Sequence, residues 1–334
     1  METVSYKCPN CGGELVFDPK TQKYKCDYCV SVFESVEQTH TAAMGEAKQY
    51  HCPSCGAEII TDTTTAASHC YYCHNPVMIS GRLTGEYLPD KIIPFAIDEK
   101  EAKQKFLDFV QTKRFIPKAF FDKKQMDQFS GVYFPYWIYG CTMEGKLSAK
   151  GTKTRVWRTA DVEYTEHKFY QIDRNGFVHL DDITKYALNK ANRTLTEGVL
   201  PYNYKDMKEF QMSYLSGFMA EKRDIEKSAL SLEVDREVQG YGKNLLRDTV
   251  QGYSGVSVNS CNLIKEQEQW SYVLLPIWTL TYRGENNKLY YYSMNGQTGQ
   301  VHGELPVDYI KIWLTGILVG LLTGLICLLG GYLI

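Results

Sequence analysis

Eight of the eleven cysteines lie within the first 73 residues and form four C-x-x-C pairs. The eight are Cys8, Cys11, Cys26, Cys29, Cys52, Cys55, Cys70 and Cys73. Two cysteines three residues apart can direct both sulfurs at one ion, and two such pairs supply the four thiolates of a structural zinc site. The sequence therefore predicts two structural zinc ions, because four thiolates leave no ligand position for a catalytic water.

An internal repeat places these cysteines in two equivalent units. Residues 6–29 read YKCPNCGGELVFDPKTQKYKCDYC and residues 50–73 read YHCPSCGAEIITDTTTAASHCYYC. The fourteen residues between the two cysteine pairs of each copy suit a short β-hairpin. Such short segments bury too little apolar surface to fold alone, so metal binding would supply folding free energy. The alternative interpretation is two reduced dithiol pairs with a redox role.

The C-terminal segment 312–334, IWLTGILVGLLTGLICLLGGYLI, contains no charged residue. As a helix rising ~1.5 Å per residue it would span ~34 Å, which exceeds a hydrocarbon core of ~30 Å. Trp313 and Tyr332 stand near its two ends, as interfacial aromatic residues do. We expect a single transmembrane anchor; the alternative is a buried core helix. Gly316, Gly320 and Gly324 recur every four residues and could allow self-association.

The location of the rest of the chain follows from its first residues and its thiols. The N-terminus METVSYKCPN lacks the apolar segment of a secretory signal peptide. Thiolate ligands also require a reducing compartment. We therefore expect a single-pass protein of the cell membrane whose N-terminal bulk is cytoplasmic.

The sequence predicts a multidomain chain in which separate segments carry these ligands. Zinc ribbon 1 occupies residues 1–38, a linker 39–48, zinc ribbon 2 49–81, an α+β body with mainly antiparallel strands 82–308, and the transmembrane anchor 309–334. Within the body, Asp98 opens a capping box before a helix, and Asn175-Gly176 indicates a hairpin turn. Residues 205–251 are expected to be helical, with interruptions at Gly240 and Gly242.

Charge and motifs exclude several functions. The net charge is −2, and the ribbon segments 1–35 and 46–81 have acidic surpluses of one and two residues, so we do not expect nucleic-acid binding there. Residues 100–124 are basic and rich in phenylalanine, which suits either anionic lipid or a solvated helix face. No P-loop, G-x-S-x-G or H-E-x-x-H motif occurs, so the sequence predicts no enzyme and no catalytic residue.

The order of the later motifs resembles a known family. The ribbons are followed by YFPYW at 133–137, YLSGF at 214–218, PIW at 276–278, NGQTG at 295–299 and a final apolar helix. This order is similar to that of the bacterial TFIIB-type zinc-ribbon membrane proteins. Members of that family are often encoded beside phage-shock protein A and a stomatin-like SPFH protein. The resemblance implies a membrane-tethered adaptor that recruits such proteins as part of an envelope-stress response. It also implies that zinc is bound by the same eight cysteines. The rival is a membrane-bound nucleic-acid-binding protein.

Overall fold

The computed structural model describes residues 3–36, 40–42, 49–52, 58–60, 65–69, 75–79, 83, 85–113, 115–117, 129–189, 196–283 and 289–332. Three helices lie in this part of the chain: α1 (Glu99–Gln111), α2 (Lys227–Asp248) and α3 (Tyr309–Tyr332). The strands that it describes are, in chain order, β1 (Thr3–Ser5), β2 (Leu15–Asp18), β3 (Lys23–Cys26), β4 (Val32–Phe33), β5 (His40–Ala42), β6 (Gln49–His51), β7 (Glu58–Ile60), β8 (Thr65–His69), β9 (Pro76–Ile79), β10 (Lys91–Ile92), β11 (Ser130–Thr159), β12 (Val162–Tyr186), β13 (Lys208–Glu209), β14 (Met219–Glu221), β15 (Gly255–Arg283), β16 (Leu289–Asn295) and β17 (Val301–Gly303).

Three long strands form the centre of the fold. Strand β11 pairs antiparallel with β12 on one side and with β15 on the other. Shorter strands extend this sheet: β16 and β17 continue beyond β15, and β14, β8, β9, β1 and β5 follow β11. The pairings β10–β15 and β11–β14 are parallel, and the others are antiparallel. The predicted α+β body with mainly antiparallel strands is confirmed.

The sheet is buried on both faces at the start of β11. Tyr133, Trp137 and Tyr139 belong to one hydrophobic cluster, and Tyr136 and Ile138 belong to a second cluster on the opposite face. Successive side chains of a strand point to opposite faces. The aromatic run at 132–139 is therefore continuous because both of its faces face a core.

Pro135 occupies a position of β11 at which the sheet ladder does not require a backbone N–H. It is paired with Leu274 on one side. On its other side it lies between the segment that pairs with β14 and the segment that pairs with β12, and its carbonyl accepts from Ala187 N at 3.0 Å. A proline is tolerated at such a gap in a ladder.

Helix α1 begins as the sequence predicts. The Asp98 carboxylate accepts a hydrogen bond from the backbone N–H of Glu101 at 2.7 Å, which caps the first turn. Phe106 and Val110 on the buried face of the helix pack into the larger hydrophobic cluster. Phe106 lies 6.0 Å from Phe129, the residue before β11, so the helix packs against the start of that strand.

The predicted helix over 205–251 is wrong in its first half. Residues 204–221 form short 3-10 turns and two short strands, and the helix begins only at Lys227. It then runs without interruption through Gly240 and Gly242. Gly242 is buried against the sheet, where a Cβ would stand 2.7 Å from Leu263 Cδ1. The glycine therefore allows close packing of α2 on β15 rather than ending the helix.

The predicted hairpin at Asn175-Gly176 is also wrong. Asn175 pairs with Lys146 and Gly176 with Gly145 inside a continuous ladder, and the chain turns instead at residues 160–161. Ala160 adopts a φ of 53° at that turn. The uninterrupted pairing with β11 outweighs the local turn preference of Asn-Gly.

Helix α3 is long and apolar enough to cross a membrane. Its 24 residues correspond to ~36 Å, and its side chains from Ile312 to Ile326 are exposed. Its first turn is held by the segment after α1, because Phe115 O accepts from Asp308 N at 2.7 Å and Ile116 O accepts from Lys311 Nζ at 2.6 Å.

Candidate metal centre

Four cysteine sulfurs converge at the base of the first ribbon. The Sγ atoms of Cys8, Cys11, Cys26 and Cys29 all lie within 4.8 Å of one another. Cys8 Sγ lies 3.5 Å from Cys29 Sγ, and Cys11 Sγ lies 3.5 Å from Cys26 Sγ. Disulfide sulfurs would be ~2.0 Å apart, whereas a tetrahedron with ~2.3 Å zinc–sulfur bonds requires ~3.8 Å. The spacing fits one tetrahedral metal ion and excludes disulfides.

The two cysteine pairs sit on nearly identical turns. In the first, Gly12 N donates to Cys8 O at 2.8 Å and Cys8 N donates to Gly13 O at 2.6 Å. In the second, Val30 N donates to Cys26 O and Cys26 N donates to Ser31 O, both at 2.9 Å. Strands β2 and β3 join these turns as a hairpin, which matches the prediction from the fourteen-residue spacing.

The residue that follows the second cysteine of each turn has a left-handed backbone. Gly12 occupies this position in the first turn with φ 72°, which costs glycine little. Val30 occupies it in the second turn with φ 60°, although a β-branched residue is a genuine outlier there. The second turn is therefore strained where the first is not.

The pKa values of Cys29 and Cys11 are shifted in opposite directions. Hydrogen bonds from the side chain and the backbone of Ser31 lower the pKa of Cys29 to about 6. The backbone N–H of Gly13 lowers the pKa of Cys11, but the neighbouring thiols of Cys29 and Cys26 outweigh it and raise that pKa to about 12. Four thiolates at this spacing repel one another, so their joint deprotonation requires a bound cation.

The body holds this ribbon through the YLSGF segment at 214–218. Ser216 O accepts from Phe17 N at 3.0 Å, and Ser216 Oγ donates to Leu15 O. The hydroxyls of Tyr24 and Ser213 lie 2.6 Å apart. The first ribbon therefore packs directly against the body and is not connected to it by a linker alone.

Gly217 permits the closest approach in this contact. Its φ is 90°, and a Cβ there would lie 2.3 Å from Val16 Cγ1 on the ribbon hairpin. The neighbouring Phe218 stacks on Phe95 with ring centroids 4.3 Å apart. Phe95 also contacts Tyr133 and Trp278, and a Cβ on Gly296 would lie 2.5 Å from its ring. The motifs YFPYW, YLSGF, PIW and NGQTG therefore meet around Phe95, beside the ribbon.

The second set of cysteines is described only in part. Cys52 is buried at the end of β6, while Cys55, Cys70 and Cys73 lie outside the described residues. Strands β7 and β8 lie in the segment between the two predicted turns, and β8 pairs with β14 of the body. The second zinc site stays a prediction.

Cys141 and Cys261 do not join the metal cluster. Cys141 lies on β11 and Cys261 on β15, both in the central sheet, and Cys327 lies in α3. Cys141 lines an open cleft of about 520 Å³ with Asp181, Glu266 and Glu268. In the basic stretch 100–124, Phe106 is buried, and residues 118–124 lie outside the described part.

Sequence reasoning missed two features of this centre. Val30 follows the second cysteine of a pair, as Gly12 does, and that matching position was the signal that it would share the left-handed backbone. The contact of the ribbon with 214–218 had no such signal, because nothing local links positions 17 and 216.

Comparisons with known proteins assign the chain to a family over nearly its full length. No family model matches it, and no solved structure matches it. The uncharacterized protein YdjG of Bacillus subtilis (strain 168) is 36% identical over 321 residues, which cover 94% of each chain. Identity at that level along nearly the full length requires a shared fold, so this chain belongs to the same family as YdjG.

Proposed function

We propose that the protein is a membrane-tethered zinc-ribbon adaptor. The eight cysteines hold two structural zinc ions, α3 crosses the cell membrane once, and the bulk of the chain lies in the cytoplasm. The ribbons recruit another protein to the membrane, with SPFH or phage-shock-type proteins as the candidates that the family resemblance implies. The same resemblance places this role in an envelope-stress response.

One observation carries the proposal: the second cysteine turn displays apolar side chains at a conformational cost. Tyr28, Val30 and Val32 are 74%, 66% and 51% exposed. Left-handed backbone at a non-glycine residue costs about 1–3 kcal/mol. Glycine at position 30 would remove that cost, as Gly12 does in the first turn. An exposed valine retained under strain supports a role for its side chain in binding a partner.

The charge of the ribbons favours a protein partner over nucleic acid. Residues 1–35 contain four lysines and five acidic residues, and residues 46–81 contain one lysine and three. A zinc ion with four thiolates adds further negative charge. Phosphate-backbone binding requires a surplus of cations. An apolar patch on an acidic surface instead suits a protein with a matching apolar groove.

The test uses Val30→Gly in the full-length protein. We expect its free energy of unfolding to rise by about 1 kcal/mol because the strain is relieved. We expect proteins that co-purify with the wild type from cross-linked membranes to be lost from the variant, even though it is the more stable protein. Leu232→Ser, at a 63% exposed position of α2, is the matched control and should retain them.

Two results would overturn the proposal. Partners that disappear after nuclease treatment would support the nucleic-acid-binding alternative. Partners that remain on Val30→Gly, despite raised stability, would show that this surface does not recruit them.

A further inference from the structure

The outer half of the central sheet projects as a long arm. We define the arm as residues 146–159 of β11, 162–177 of β12 and 255–264 of β15. The β11–β15 pairing ends at Thr152↔Gly255, whereas β11 and β12 stay paired to Thr159↔Val162. The last residues, 153–168, which we name the tip, are therefore a two-stranded ribbon. Such a ribbon is marginally stable in water without further packing.

The tip carries exposed apolar side chains mainly on one of its faces. Val156 and Trp157 are 55% and 41% exposed, and Val162 and Tyr164 are 52% and 46% exposed. Trp157 and Tyr164 face each other across the ladder, with rings stacked at 5.6 Å. Val156 precedes Trp157 and so points to the opposite face. Val162 pairs with Thr159 and therefore lies on the same face as Trp157 and Tyr164. An arm that lies along a lipid surface would bury this face.

The tip also carries the charges that suit an anionic lipid surface. On the face of Trp157 the tip carries three cations and one acidic residue, in a chain of net charge −2; these are Lys153, Arg155, Lys168 and Glu166. Arg155 lies over the Trp157 ring at 5.6 Å, and Lys153 lies near the rings of Tyr170 and Tyr253 at 5.5 Å from each. Tryptophan and tyrosine concentrate at the headgroup level of membranes, and nearby cations add ~1 kcal/mol each.

A bilayer is within reach because the same chain carries α3. That helix starts beside α1, whose Phe106 packs 6.0 Å from Phe129 at the beginning of β11. The tip lies at the other end of β11, and the 27 residues from Ser130 to Trp157 span at most ~90 Å. A tip that touches the bilayer holding α3 therefore requires the arm to lie along the membrane surface. The tether raises the local concentration of that bilayer for the tip.

We propose that the tip is a second membrane contact, which inserts Trp157, Val162 and Tyr164 into the headgroup region of the anionic bilayer that holds α3. The two contacts then fix the orientation of the whole molecule on the membrane. This inference does not depend on the partner of the ribbons.

The test is quenching of Trp157 fluorescence by brominated lipid. The full-length chain is placed in discs wider than the arm, made of phosphatidylcholine with or without phosphatidylglycerol. The share of Trp157 is the difference between the wild type and Trp157→Phe. Most of that share should be lost in brominated discs that contain phosphatidylglycerol, and added salt should restore part of it. Trp270→Phe defines the control share, which should be unaffected.

A second variant keeps the test independent of one fluorophore. Val162→Asp, on the face of Trp157, should greatly reduce the quenching of Trp157 while leaving circular dichroism and membrane insertion unchanged. Val156→Asp, on the opposite face, is the matched control and should retain the quenching. Unquenched Trp157 in the brominated discs would overturn the proposal. Quenching only by brominated vesicles added to unbrominated discs would place the contact on a second membrane. A shift from dimer to monomer on Trp157→Phe, without quenching, would identify a second copy as the occupant.

Discussion

Asp98 shows how one side chain joins two parts of the fold. Its carboxylate caps α1 and also forms an ion pair with Lys20 of the first ribbon at 2.9 Å. Partial burial raises the pKa of Asp98, but the N–H of Glu101 and the ammonium of Lys20 outweigh this and lower it below its usual range. The capping role was predictable from the Asp98–Glu101 spacing. The pairing with Lys20 was not, because only the tertiary contact of ribbon and body brings positions 20 and 98 together.

Asp98→Ala should lower the free energy of unfolding at pH 7 by about 1 kcal/mol, mostly through the lost cap. A lowered folded-state pKa means that the charged form stabilises the fold above the unfolded value of ~3.9. The difference between the two proteins should therefore shrink as the pH falls below that value toward the folded pKa. Urea unfolding of both proteins at each pH measures this difference, and any acid release of metal affects both. A difference that grows on acidification would contradict the assignment.

At the scale of elements, local signals predicted what local interactions decide. The cap of α1 and the hairpin of the first ribbon follow from short patterns and are confirmed. The turn expected at Asn175-Gly176 and the helix break expected at Gly242 are wrong, because β11 supplies a long pairing partner and the sheet accepts α2 closely there. Patterns within one segment cannot report what packs against it.

The contact between the first ribbon and residues 214–218 can be tested with two glycines. Gly217→Ala should destabilise the protein by about 2–4 kcal/mol, because its φ is 90° and the new Cβ would overlap Val16. Gly240→Ala, at an open position of α2, should instead stabilise by about 0.5–1 kcal/mol. Chemical denaturation measures both, and chelator should remove zinc faster from the Gly217 variant. Equal stabilities for the two variants would refute the close packing of ribbon and body.

The molecule as a whole combines three structural features. A cysteine cluster is built into a sheet-rich body, one apolar helix is long enough to cross a membrane, and a long arm extends from the opposite end of the central strands. The cluster and the apolar helix were predictable from composition and spacing. The arm was not predictable from the sequence. Its length results from the pairing of three segments that are distant in sequence, and the local pattern of each segment indicates shorter strands and turns.

We expect the eight cysteines to hold structural zinc on which the folding of the ribbons depends. The most direct test is the zinc content of the full-length protein, purified fully reduced, beside Cys29→Ser. We predict two zinc ions per wild-type chain and one per Cys29→Ser chain. The second zinc site should stay occupied in the variant because its four cysteines are separate residues. Fewer than two zinc ions per fully reduced wild-type chain, or an unchanged content in Cys29→Ser, would contradict this prediction.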